Sequence, residues 1–144
     1  ADVARLELAL RRSYHAADAR PIESDELAKI TPDGLMQTQI TLAPSVQIIA
    51  SSWPIYDIWR YNTQDNAAKP THMAQDVIIT RPEFDPIPQP LPAGGADWID
   101  ALSQGLSIGG ALERVLATTP DFDLGTTFTL LLQGGAITKL STKG

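Results

Sequence analysis

Apolar positions recur every three or four residues at the start of the chain, at Val3, Leu6, Leu10, Tyr14 and Ala17. That spacing lays them along one stripe of an amphipathic helix from Asp2 to Ala19, which Pro21 stops. Ser24 to Leu27 can open a short second helix, and Thr31-Pro32 offers an N-cap followed by proline at the first helical position. The period then changes to two. Met36, Thr38, Ile40 and Leu42 alternate with Gln37, Gln39 and Thr41, the pattern of a half-buried strand. Ala43-Pro44-Ser45 turns the chain into a second strand, Val46 to Ala50. Ser52-Trp53-Pro54 opens a short helix through Ile55, Ile58 and Trp59. Thr63 to Thr71 is polar and predicts an exposed loop, and Asp76 to Arg81 predicts a strand.

Phe84 to Leu91 carries Pro86, Pro88 and Pro90 on alternate residues. In a strand, alternate residues aim their N–H groups at one edge, so all three missing donors fall on the same side. Asp85, Ile87 and Gln89 keep donors for the other side. The segment can therefore close a sheet while blocking further pairing; a polyproline-like linker would favour the same residues. Beyond Gly94 the rhythm is helical again. Trp98, Ile99, Ala101 and Leu102 pattern one helix, which Gly105 ends. Ser107 caps a second, with Ile108, Ala111, Leu112, Val115 and Leu116 as its stripe. Asp121 or Asp123 caps a third, with Leu124, Phe128, Leu131 and Leu132 facing inward before Gly134-Gly135. Ala136 to Thr142 alternates and adds a last strand. Three short helices, Gly-Gly and a strand follow the order of a winged helix-turn-helix. The fold class expected is α+β, an antiparallel sheet with a winged-helix-like C-terminal helical bundle.

Composition narrows the function. At 144 residues with 43% hydrophobic and 19% charged residues, the chain can bury one real core. It has no cysteine, hence no disulfide, thiolate ligand or thiol nucleophile. That composition, with no signal-peptide pattern at its start and no long apolar run, leads to the expectation of a cytoplasmic chain without membrane association. Seventeen acidic against eleven basic residues give a net charge of −6, so the average surface repels phosphate backbones and anionic lipids. Arg5, Arg11, Arg12 and Arg20 form the one place where a basic patch could arise, diluted by Asp2, Glu7 and Asp18; a solvated helix face is the plainer account of them.

Motifs of catalysis are sparse and lack their usual context. His15 and His72 lie in different segments, where His15 suits a structural role and His72 a solvated loop. Gly105-Leu106-Ser107-Ile108-Gly109 has the Gly-x-Ser-x-Gly spacing, but Gly105 ends one helix and Ser107 caps the next, whereas a nucleophile elbow follows a strand; no zinc-binding helix, phosphate loop or dinucleotide fingerprint occurs. Asp121 and Asp123 flank a helix start, where capping explains them, and Ser24, Ser52 and Ser107 also take cap positions. The expected recognition helix, Asp123 to Gln133, holds no Arg or Lys, and Gly94 to Gly144 carries five acids against three bases. A major-groove reader needs cations for phosphates and usually Arg, Lys, Asn or Gln for base edges. Binding, without catalysis, cofactor or metal, is the expectation. Its candidate surface is Trp53, Tyr56, Trp59 and Tyr61, four of the nine aromatics within nine residues. Trp and Tyr anchor interfaces at this density, although the plainer reading is that Trp53 and Trp59 fill the core.

Several segments together resemble the HvfC/BufC family. They are Asp2-Val3-Ala4-Arg5-Leu6-Glu7 with Tyr14-His15-Ala16-Ala17-Asp18-Ala19, then Leu42-x-Pro44-Ser45-Val46, Trp53-Pro54-Ile55 and Ile58-Trp59-Arg60-x-Asn62. Ala101-Leu102 with Gly105, Phe122-Asp123-Leu124, Leu130 to Leu132 and Gly134-Gly135-Ala136-Ile137-Thr138 complete the match, in order along nearly the whole chain. The resemblance implies an all-helical N-terminal domain, to which residues 1–30 would connect as a helical segment, with 31–144 as a C-terminal winged-helix-like domain. It also implies an accessory protein that helps a multinuclear iron oxygenase convert a small precursor peptide into a copper-binding product. Family members are often labelled DNA-binding, so the alternative is a transcriptional regulator whose DNA contacts lie mainly in the N-terminal domain.

Overall fold

A computed structural model describes residues 2–64, 69 and 74–142. His72 and most of the expected 63–71 loop lie outside the described residues. Seven helices and five strands follow one another among those described: α1 (Asp2–His15), α2 (Ser24–Ala28), α3 (Pro32–Met36), β1 (Thr38–Leu42), β2 (Gln47–Ser51), α4 (Ile55–Thr63), β3 (Gln75–Thr80), β4 (Ile87–Leu91), α5 (Gly95–Ser103), α6 (Ile108–Leu116), α7 (Leu124–Gln133) and β5 (Ile137–Thr142). The class is α+β, as the change of period from helical to alternating predicts.

The strands form two antiparallel sheets rather than one: β1 pairs with β5, and β2, β3 and β4 lie side by side in that order. The Ala43–Val46 connection is what separates them. Ala43 N–H binds the Ala136 carbonyl at 2.7 Å, tying the end of β1 to the start of β5 before the chain passes into the other sheet. Alternation along β3 then divides the core. Val77 and Ile79 join Ile49, Ile55, Leu6 and Ala9 on one face, under α1 and α4. Ile78 joins Trp98, Ile99, Leu102 and Val115 on the other. The ring of Trp98 is fully buried there, 6.0 Å from Phe122 and 6.4 Å from Phe128.

β4 is the edge strand that the proline spacing predicts, but it is shorter than the expected Phe84–Leu91: it begins at Ile87, leaving Phe84, Asp85 and Pro86 in the loop before it. Pro88 lies opposite Ile79 and Pro90 opposite Val77, while Ile87, Gln89 and Leu91 alternate with them. The prolines therefore occupy the positions that need no donor toward β3. Local cap chemistry holds as well. Thr31 Oγ1 accepts from Gly34 N–H at 3.0 Å, Ser107 Oγ from Gly110 N–H at 3.0 Å and Asp123 Oδ1 from Thr126 N–H at 3.1 Å. Gly105 closes α5 with φ +97°: its N–H binds the Leu102 carbonyl, and Leu106 N–H reaches back to Ala101. This is the left-handed C′ turn that glycine serves without strain.

Six expectations are corrected. α1 ends at His15, not Ala19, because the Arg81 guanidinium takes the carbonyls that would have continued it. Its buried stripe is Leu6, Ala9 and Ser13, leaving Tyr14 and Ala17 exposed. Glu23 caps α2 in place of Ser24, its N–H donating to the Glu26 carboxylate, and Ser52 caps nothing because α4 begins after Pro54. Met36 closes α3, so β1 starts at Thr38. In α7, Thr127 is buried where Leu132 was expected, and Leu132 is 37% exposed. The order of three helices, Gly-Gly and a strand is present, with β5 paired to the distant β1. Ser107, ahead of α6, bridges Gln39 of that strand.

Candidate functional site

The aromatic segment expected to bind a partner folds as α4, and its start is fixed from a distance. Pro54 at the N-cap has no side-chain donor or acceptor to offer the first turn. The Gln75 Oε1 of β3 supplies the missing acceptor, taking the N–H groups of both Tyr56 and Asp57 at 3.1 Å. Ser51 Oγ accepts from Trp53 N–H at 3.1 Å and sets the turn into the helix. These bonds satisfy donors that every helix start leaves open, and they lock α4 to the sheet.

Helical spacing then divides the four aromatics. Tyr56 and Trp59, one turn apart, stack at 6.2 Å between ring centres and pack with Leu10 against the α1–sheet core. The Arg60 guanidinium lies 5.8 Å above the Tyr56 ring, within cation–π range. Tyr61 is two residues beyond Trp59, close to the opposite side of the helix at 100° per residue, and is 51% exposed. Trp53, ahead of the helix, is also 51% exposed. The structure thus brings Tyr56 and Trp59 together and leaves Trp53 and Tyr61 facing outward. Filling the core accounts for Trp59 in part and does not account for Trp53.

Beside Trp59 runs a groove of about 350 Å³, lined by Leu10, Arg11, Tyr14, His15, Trp59, Asp85 and Pro86. His15 stands edge-on to Tyr14, at 5.2 Å and 88°. It is exposed at the end of α1 and forms a wall of this groove, so the structural role expected for it is confined to that ring contact. The β3–β4 loop adds a second cleft, sharing Asp85 and lined also by Pro82, Glu83, Phe84 and Ile87. Phe84 is 83% exposed, the most exposed large apolar side chain described. Tyr14 and Phe84 lie outside the expected site residues. The signal for Phe84 was an aromatic held between two acids in a proline-rich turn, Glu83-Phe84-Asp85-Pro86.

Two carboxylates away from this groove depart from their ordinary acidity. Asp123 sits below the ordinary carboxylate value, chiefly because the Thr126 hydroxyl and N–H donate to it. Asp76 is raised by burial, partly offset by the Ser51 backbone N–H and reinforced by the nearby negative charge of Asp97. Among the described residues no group of three His, Asp or Glu side chains could hold a metal ion, and no helix is long and apolar enough to cross a membrane. Comparison of the chain with protein families, curated proteins and solved structures finds no match.

Proposed function

We propose that this chain is a non-catalytic recognition domain of a cytoplasmic accessory protein, and that α4 is its docking element. The observation that carries the reading is the division of the α4 aromatics. Tyr56 and Trp59 are anchored in the core, while Trp53 and Tyr61 stand half exposed on the same fixed support. Exposed aromatics on a rigid element lose little conformational freedom on binding, and side chains of this type dominate interface energies. The resemblance to the HvfC/BufC family supplies the partner: a multinuclear iron oxygenase, its small precursor peptide, or both. The helix order of α5, α6 and α7 ahead of β5 is compatible with the winged-helix-like domain of that family.

Amide hydrogen exchange across Trp53–Asn62, with and without the iron oxygenase and its peptide, tests the proposal. Protection should rise there on complex formation, and Trp53→Ala with Tyr61→Ala should weaken the complex at least about tenfold, as loss of hot-spot aromatics does. Unchanged protection in a complex that forms moves the interface away from α4.

A further inference from the structure

The groove beside Trp59 and the loop that borders it carry an unused pairing of shape and charge. Arg11 and Asp85 both line the groove, yet among the described residues neither side chain forms an ion pair or hydrogen bond. One wall, from α1, is cationic through Arg11, with His15 beside it. The other, from the β3–β4 loop, is acidic through Asp85, with Glu83 in the adjoining cleft. Phe84 projects from that acidic loop, next to a hollow walled by Leu10, Tyr14, Trp59 and Pro86.

The geometry points to a second copy of this chain as the occupant of the groove, in a two-fold dimer that seats each Phe84 in the other's hollow. A two-fold interface requires one patch to hold both halves of each contact. This patch does: the apolar knob and the apolar hollow adjoin, and the acidic wall of one copy meets the cationic wall of the other. Arg11 of each copy then pairs with Asp85 of its partner, satisfying both charges that the single chain leaves open. Opposed walls of this kind fix register and orientation more than they add affinity, and Phe84 supplies the apolar anchor. A partner of uniform charge would satisfy one wall and oppose the other. Trp53 and Tyr61 do not line the groove, so the inference stands whether or not α4 docks an enzyme.

Sedimentation equilibrium of the chain alone, from micromolar to millimolar concentration, tests it. The wild type should dimerise, and Phe84→Ala should weaken the dimer at least about tenfold, with an unchanged thermal midpoint at concentrations low enough that both are monomeric, since the side chain is exposed there. Arg11→Asp and Asp85→Arg should each be monomeric alone, because each sets like charges against one another across the axis. Mixed in equal amounts they should form a heterodimer, each charge then facing its opposite. A wild type that stays monomeric throughout, a Phe84→Ala dimer as tight as wild type, or a mixture no more associated than its components overturns the proposal.

Discussion

Arg81 does more for the fold than its place at the end of a strand suggests. Its side chain is only 6% exposed, yet its guanidinium donates to the carbonyls of Ser13, Tyr14, Ala16 and Ala17 and to Asp18 Oδ1. A cation at a helix C-terminus meets the negative end of the dipole and satisfies carbonyls that the last turn leaves open. Asp18 is fully exposed, so its share in solution is slight. Arg81→Met should therefore cost about 3 kcal/mol in urea unfolding, while Asp18→Asn leaves the midpoint unchanged; equal effects would assign the anchor to the ion pair instead. Asp76 and Asp123 divide by sign. Asp123 is more acidic folded than unfolded, so its stabilisation is complete above the ordinary value near 3.8 and is lost as pH falls through the folded value. Asp76 is less acidic folded, so its charge opposes folding at neutral pH and that cost disappears as pH falls through its raised value. Asp76→Asn should raise the urea midpoint at neutral pH, with the gain gone by about pH 3. A gain that persists in acid would come from packing, not charge.

The elements that local chemistry decides were legible in the sequence. Thr31-Pro32, Ser107 and Asp123 start their helices, and Gly105 ends α5. The alternating prolines place β4 at a sheet edge. What the sequence concealed is set by partners far along the chain. α1 stops where Arg81 meets it, more than sixty residues on. α4 is capped by Gln75 of β3, and β1 pairs with β5 rather than a neighbouring strand. The α7 stripe failed for a different reason. Counting leucines favours Leu132, whereas the 3–4 spacing of Leu124, Thr127, Phe128 and Leu131 buries a threonine. That threonine is tolerated because Thr127 Oγ1 donates to the Asp123 carbonyl at 3.1 Å, removing the penalty of burying a free hydroxyl. Leu131→Ala should thus cost about 3 kcal/mol and Leu132→Ala less than about 1 kcal/mol. Denaturant midpoints showing the reverse order would rotate the helix by one position.

On the scale of the whole molecule, the sequence indicated an aromatic surface on α4 but not the groove beside it, because the groove is assembled from three separated segments. α1 gives Leu10, Arg11, Tyr14 and His15, α4 gives Trp59, and the β3–β4 loop gives Asp85 and Pro86. No single stretch carries that combination. Charge, by contrast, is a property of composition and survives folding. The net charge is −6, and among the described residues the bases are not gathered into a face that α7 could use. Gly125, Thr126, Thr129, Leu132 and Gln133 form its exposed side, without a cation. Arg114 on α6 is held by Gln104 Oε1 at 3.0 Å. Duplex DNA binding gains most of its affinity from lysine and arginine displacing counterions along the phosphates, and base reading needs donors and acceptors aimed into the groove. A lone Gln133 supplies neither in sufficient number. We therefore expect no duplex binding by this chain at physiological salt in a fluorescence anisotropy titration. Sub-micromolar affinity that falls steeply with added salt would mean that Arg5, Arg11, Arg12 and Arg20 act together on DNA, and the regulator reading would then replace the accessory one.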